Sequence, residues 1–262
     1  MGRGRKTGTT SRSGAPVAKK SNDQVDTFKE GGRLEKSLVK ILDNASRLQG
    51  PAVEKYVAHM RRAHPNDTPA QLIERLENRF LLAVTGSGSA VGGAAAVPGV
   101  GTVASIAAVG AETAFFIESS ALLTLSVASV HGIPVHDHQQ RRALVLSVAL
   151  GESGMQIVQK TVGSSAKNWG PLVTSRIPGG AMTNMNKSLV KKFVQKYLAK
   201  RSALLFGKLL PAGIGAVIGG AGNRVIGKGV IRNAREAFGP APKMWPEGAV
   251  IDADPIDGIL EQ

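Results

Sequence analysis

The stretch from Thr85 to Leu123, TGSGSAVGGAAAVPGVGTVASIAAVGAETAFFIESSALL, carries only two charged residues, Glu112 and Glu118. A run this long and apolar, in a chain of formal net charge +14, admits three fates. It crosses a membrane, fills the centre of a helical bundle, or holds a nucleotide on its glycines.

Its own pattern narrows the choice. Pro98-Gly99 interrupts it, and two helices meeting there, about 69–97 and 101–131, would pack as a hairpin. A spanning helix needs about 20 predominantly apolar residues. Phe80–Val97 is diluted by Ser, Thr and Gly, Thr102–Ala121 carries Glu112 and Glu118, and Leu209–Asn223 is short. None meets the requirement cleanly, so shallow insertion or a soluble core competes with spanning. GIGAVIG at 213–219 has a dinucleotide-like glycine spacing, with Glu236 about 20 residues on. That motif works only after a strand, and the preceding Ser188–Lys208 has a helical period. Gly88 with Gly92, and Gly215 with Gly219, are small residues four apart that let helix backbones approach closely.

The rest of the chain also reads as helical, and no run of alternating strands occurs. Arg33–Leu48 places Leu34, Leu38, Ile41, Leu42, Ala45 and Leu48 on one stripe. Pro51–Ala63 follows, with proline where its missing N–H costs nothing. Thr68 is the expected N-cap of the next helix, Pro69 its first residue and Gln71 its capping-box partner. Asp137 is the expected N-cap of a helix through RRALVLSVALGESGMQIVQKTV. Residues 163–186 read as irregular, NKSLVKKFVQKYLAKRSALLFGKLL as a cationic amphipathic helix, and PAGIGAV through Phe238 as a last helix stopped by Gly239-Pro240. PGVGTV at 98–103 and PAGIGAV at 211–217 echo one another, which suggests two similar Gly-rich hairpins facing each other. The fold class is therefore all-α: a helical bundle over residues 31–240, a disordered basic tail over 1–30 and an acidic flexible tail over 241–262.

Composition limits the chemistry. Aromatic residues are 4% of the chain, so the core must be built from small aliphatics. No cysteine is present, which excludes disulfides and thiolate sites and suits a reducing cytoplasm. No secretion signal is visible, since residues 1–30 lack an apolar core. His136 and His138 flank Asp137 but complete no metal motif, and His131 reads as a helix C-terminal residue favoured by the dipole. No metal and no cofactor is expected.

Two polar groupings stand out. Glu112 lies among Gly110, Ala111 and Ala114, and a buried carboxylate needs a partner. Arg224, with Asn223 beside it, sits in the opposite Gly-rich helix. A Glu112–Arg224 clasp joining the hairpins is expected, with Glu152 beside Gly151 able to join it. The alternative is an ion- or proton-linked site, or an unassigned enzyme, around Glu112, Glu152 and Arg224.

The second grouping is cationic. Residues 1–20 hold six basic and no acidic residues, and between Glu152 and Glu236 there are 14 Lys and Arg and no acid. Residues 247–262 are the reverse, with five acids and no base. Such one-signed spans imply an anionic neighbour. The candidate contacts are Arg3, Arg5, Lys6, Lys187, Lys191, Lys192, Lys196, Lys200 and Arg201.

The segments IERLENRFLLAVTGSGSAVGGAAAVPGVGTVASIAAVGAE, VHGIPVHDHQQRRALVLSVALGE and LLPAGIGAVIGGAGNRVIGKGVIRNAREAFGPAP resemble the EcsC-like family of bacterial proteins over roughly residues 69–240. The resemblance implies an all-α protein of the bacterial envelope or its transport machinery, with no agreed enzymatic chemistry. The basic and acidic tails depart from it. The leading expectation is a non-enzymatic cytoplasmic protein, peripheral or shallowly inserted at the inner membrane, meeting anionic lipid and an envelope partner. The alternative partner is nucleic acid, bound through the N-terminal tail and the 153–235 basic face.

Overall fold

Thr68 opens the helix Pro69–Ala95. Its backbone N–H donates to Gln71 Oε1 at 2.8 Å, and its hydroxyl accepts from the Gln71 N–H at 3.3 Å, the reciprocal capping box the sequence calls for. The computed structural model describes residues 52–95, 102–134, 137–175, 177–206 and 214–246, with Lys36 and Lys40. Side-chain surroundings within 91–110 and 197–219 are not among these. The expected basic tail over 1–30, most of the helix Arg33–Leu48 and the acid-rich residues 247–262 lie outside the described residues.

Eight helices and no strand occur among the described residues: α1 (52–63), α2 (Pro69–Ala95), α3 (Thr102–Val130), α4 (His138–Leu150), α5 (Glu152–Val162), α6 (Gly170–Thr174), α7 (Gly179–Phe206) and α8 (Ile214–Phe238). The chain is all-α. The GIGAVIG stretch follows helix α7, so the strand that a dinucleotide fold requires is missing from the described residues.

The core follows from helical spacing. Ile73, Glu77, Phe80, Leu81 and Val84 recur at three and four along α2 and are buried. On α8 the matching stripe is Gly220, Gly227, Val230, Ala234 and Ala237. α3 is the central helix, with Ala121, Leu125 and Ala128 at zero exposure, covered by α2, α4 and α8. It ends at Gly132 (φ 69°), where the Ile133 N–H reaches back to the Ala128 carbonyl.

Several boundaries differ from the sequence reading. The helix expected through 141–162 is two helices, broken at Gly151 (φ 64°). A side chain at Gly151 would collide with Asn233, and one at Gly154 would strike the Ser147 backbone. These glycines let the α4–α5 elbow fold tightly. The span 163–186 is less irregular than expected: it holds α6, and α7 begins at Gly179, directly after Pro178, with Met182 and Met185 buried. α8 makes its main packing with α2, while α7 lies on α4 and α5. The second Gly-rich pair is thus splayed, each helix taking a different partner. Within residues 241–246, expected to start the flexible tail, Trp245 and Pro246 pack back on the bundle while Lys243 and Met244 are exposed. Trp245 lies 4.0 Å beneath the Arg61 guanidinium, and Pro246 fills the space beside Gly132.

The last turn of α4 shows how the bundle is tied. Helix ends leave carbonyls without intrahelical donors. Asn233 of α8 donates to the Val148 carbonyl at 2.9 Å, and Lys196 of α7 donates to the Leu150 carbonyl at 2.9 Å.

Candidate functional site

Three helices arrive together at one end of the bundle. Asn223 of α8 donates from Nδ2 to Glu112 Oε1 of α3 at 2.7 Å and to the Val84 carbonyl of α2 at 3.0 Å. At the same level Phe80 and Phe116 meet edge to face at 6.2 Å. Gly227 faces Val84, Leu81 and Phe80, and Gly220 lies so close to Ser89 that a methyl group would overlap the hydroxyl. The two helices therefore approach on bare backbone, antiparallel to each other. The glycines that do this are Gly220 and Gly227, seven apart and on one face. Gly88 is buried, while Gly92, Gly215 and Gly219 fall outside the residues whose surroundings are described, so the expected close approaches of the Gly88–Gly92 and Gly215–Gly219 pairs lie outside them too.

The level of Glu112 and Asn223 is a frontier in composition. Beyond it, α2 runs on to Ala95, α3 comes in from Thr102 and α8 comes in from Ile214. None of those segments carries a charge, because residues 80–111 and 209–223 contain no Asp, Glu, Lys or Arg. The helical extensions measure about 17, 15 and 14 Å at about 1.5 Å per residue. We call this end the tip and the opposite end of the α2–α8 seam the base. Five large apolar side chains are exposed among the described residues, and four of them, Leu82, Phe115, Val225 and Ile226, stand at this frontier.

The expected clasp is made by a different residue. Glu112 is half-buried and bonded to Asn223, whereas Arg224 is exposed. One position along a helix is a turn of about 100°. The Gly220–Gly227 face that meets α2 carries Asn223 inward and Arg224 outward. Glu152 does not join them: it is exposed, opens α5 where a carboxylate complements the helix dipole, and accepts from Gln156 at 3.4 Å. The expected Glu112–Glu152–Arg224 cluster is not assembled.

The cationic candidates divide. Lys187, Lys191 and Lys192 are exposed on α7, while Lys196 is committed to the Leu150 carbonyl. The side-chain surroundings of Lys200 and Arg201, and all of Arg3, Arg5 and Lys6, lie outside the described residues.

The base holds an arrangement that sequence reasoning missed. Arg235 of α8 donates from Nε to Glu77 Oε1 at 2.8 Å and from Nη2 to Oε2. The Glu77 side chain is 5% exposed and that of Arg235 is 65% exposed, so the carboxylate is sunk and the guanidinium is its solvent-facing lid. The carboxylate raises the Arg235 pKa. A cavity of about 460 Å³ lies beside the pair, lined in part by Ile73, Glu74, Val127, His131 and Phe238. His131 Nδ1 bonds the Val127 carbonyl at 3.1 Å, and its Nε2 is buried with no hydrogen-bond partner. Burial pushes the His131 pKa below the ordinary imidazole value. The dipole expected to favour its charged form is outweighed by desolvation. His138 starts α4 and His136 lies outside the described residues. No trio of His, Cys, Asp or Glu able to hold a metal occurs among the described residues.

One stretch of the described residues, Ala111–Val130 of α3, is long and apolar enough to cross a membrane, and over half of it is buried inside the bundle. No family model, curated protein or solved structure matches the chain.

Proposed function

We propose that this is a non-enzymatic bacterial helical protein that docks on the cytoplasmic face of the inner membrane by seating its uncharged tip in one leaflet. The observation that carries the reading is the convergence of three uncharged helix ends at a frontier ringed by Leu82, Phe115, Val225 and Ile226. Exposed apolar clusters of this kind mark interaction surfaces. Length argues for shallow seating. The hydrocarbon core of a bilayer is about 30 Å thick, and extensions of about 15 Å reach its middle. Ala111–Val130 belongs to the core that carries the tip, since α2, α4 and α8 cover it. The EcsC-like resemblance over residues 69–240 supports a place beside bacterial envelope or transport machinery.

The test is flotation of the full chain with phosphatidylcholine vesicles at high salt, where surface charge is screened. Burying a leucine or valine side chain contributes about 1.5–3 kcal/mol. A Leu82→Ser, Val225→Ser variant should therefore float at least tenfold less well than the parent chain. Equal flotation of the two, or a parent chain that stays with the soluble fraction, overturns the proposal.

A further inference from the structure

The cations of α2 and α8 change character along the seam. Towards the base they are paired: Arg75 with Asp67, Arg235 with Glu77, and Arg232 within 4.0 Å of Glu236. Towards the tip, Arg79, Arg224 and Lys228 are all exposed and make no ion pair among the described residues. The switch from paired to unpaired falls at the apolar frontier. Arg79 adjoins Phe80 and Lys228 adjoins Gly227, and Phe80 and Gly227 face each other across the seam. Arg224 is one turn nearer the tip than Lys228 and adjoins the exposed Val225. Arg79 lies three residues before Leu82, on the same side of α2. Lys228 in turn lies three residues after Val225, on the same side of α8, so each of the three cations neighbours an exposed apolar side chain of the frontier.

We infer that Arg79, Arg224 and Lys228 form a collar that binds the phosphates of anionic phospholipid headgroups. The inference rests on the reading of the tip as a membrane-seated element and adds to it a chemical choice of lipid. With the tip in the hydrocarbon, the collar comes to the level of the glycerophosphates. Guanidinium and ammonium groups there donate to phosphate oxygens, and the long side chains keep their charged heads in the interface while the stems lie along apolar surface. Cations left unpaired at this level, when those a turn or two below are neutralised, fit a surface that supplies the counter-charge itself. This assigns lipid recognition to α2 and α8, separate from the exposed lysines of α7.

The experiment compares two triple variants that each remove three positive charges from the full chain: Arg79→Gln, Arg224→Gln, Lys228→Gln in the collar, and Lys187→Gln, Lys191→Gln, Lys192→Gln on α7. Both sets are exposed, so far-ultraviolet circular dichroism should match the parent chain. Binding is measured by co-sedimentation with vesicles of phosphatidylcholine alone and of phosphatidylcholine mixed equally with phosphatidylglycerol. A basic residue at an anionic surface strengthens binding about fivefold. The collar variant should therefore lose on the order of a hundredfold on the mixed vesicles and little on phosphatidylcholine, while the α7 variant stays within a few-fold of the parent. A collar variant that binds mixed vesicles like the parent, or an α7 variant that loses as much, overturns the collar. Failure of the tip itself is read separately, as unaltered binding by the Leu82→Ser, Val225→Ser variant.

Discussion

At the base of the α2–α8 seam, Glu77 and Arg235 meet through two charge-assisted bonds. At the tip, the same two helices touch through Gly220, Gly227 and the Asn223 amide, which donates to the Val84 carbonyl. The base joins by charge and leaves a cavity. The tip joins by removing side chains and lets backbones close. At the tip α8 meets α2 through glycine backbone and one amide donated to the Val84 carbonyl, so no charge of α8 is set against α2 there. The two ends of one helix pair are thus joined by different chemistry.

The largest test of this contrast is at the base. Replacing Arg235 by Met leaves the Glu77 carboxylate sunk and unpaired. Replacing Glu77 by Gln leaves Arg235 free to rehydrate. Arg235→Met should cost about 2–3 kcal/mol and Glu77→Gln about 1 kcal/mol in urea unfolding. Equal costs for the two would mean that the carboxylate is better hydrated than its 5% exposure implies.

The tip gives the next effect. Asn223→Ala removes donors from both Glu112 and the Val84 carbonyl, at a cost of about 1–2 kcal/mol. Arg224→Met, on the outward face, should stay within about 0.5 kcal/mol of the parent chain. A double-mutant cycle should find coupling between Glu112 and Asn223 and additivity between Glu112 and Arg224. Coupling to Arg224 instead would restore the charged clasp and erase the difference between the two ends.

The local punctuation of the fold is legible in the sequence, because its causes are local. Thr68 with Gln71, Asp137 with the Gln140 N–H, and Gly239 at φ 78° each act within a few residues. The α4–α5 break was harder to see, since what fixes Gly151 is Asn233, far along the chain. The seam needed the register of α8. Asn223 and Arg224 are neighbours in sequence, and only the spacing Gly220, Gly227, Val230, Ala234 says which of them faces α2. The base pair had a signal too: Glu77 falls on the apolar stripe of Ile73, Phe80 and Val84, a position where a carboxylate must find a donor. Its partner, 158 residues away, had no local mark.

The smallest effect concerns pH at the base. The buried His131 holds its proton less tightly in the folded protein than in the unfolded chain, where the usual value is about 6.5. Above that pH neither state is protonated. As pH falls through it towards the lower folded-state value, the unfolded chain takes the proton first and stability declines; below the folded value the loss is complete. His131→Gln should flatten this part of the thermal-unfolding profile between about pH 7 and pH 5. Tip contacts, which include no histidine, should leave it unchanged. An identical slope in both proteins would place the histidine in water.

The Val84–Asn223 bond joins residues 139 positions apart. A ribosome adds about 5–20 residues each second. Roughly seven to thirty seconds therefore pass between the synthesis of Val84 and that of Asn223. During that interval Leu81 and Val84 can pack on α3 but lack the α8 face that Gly227 brings to them. The apolar α2 face that α8 covers thus stays open until residues 220–227 have been translated, and this seam closes after the other described helices have been made.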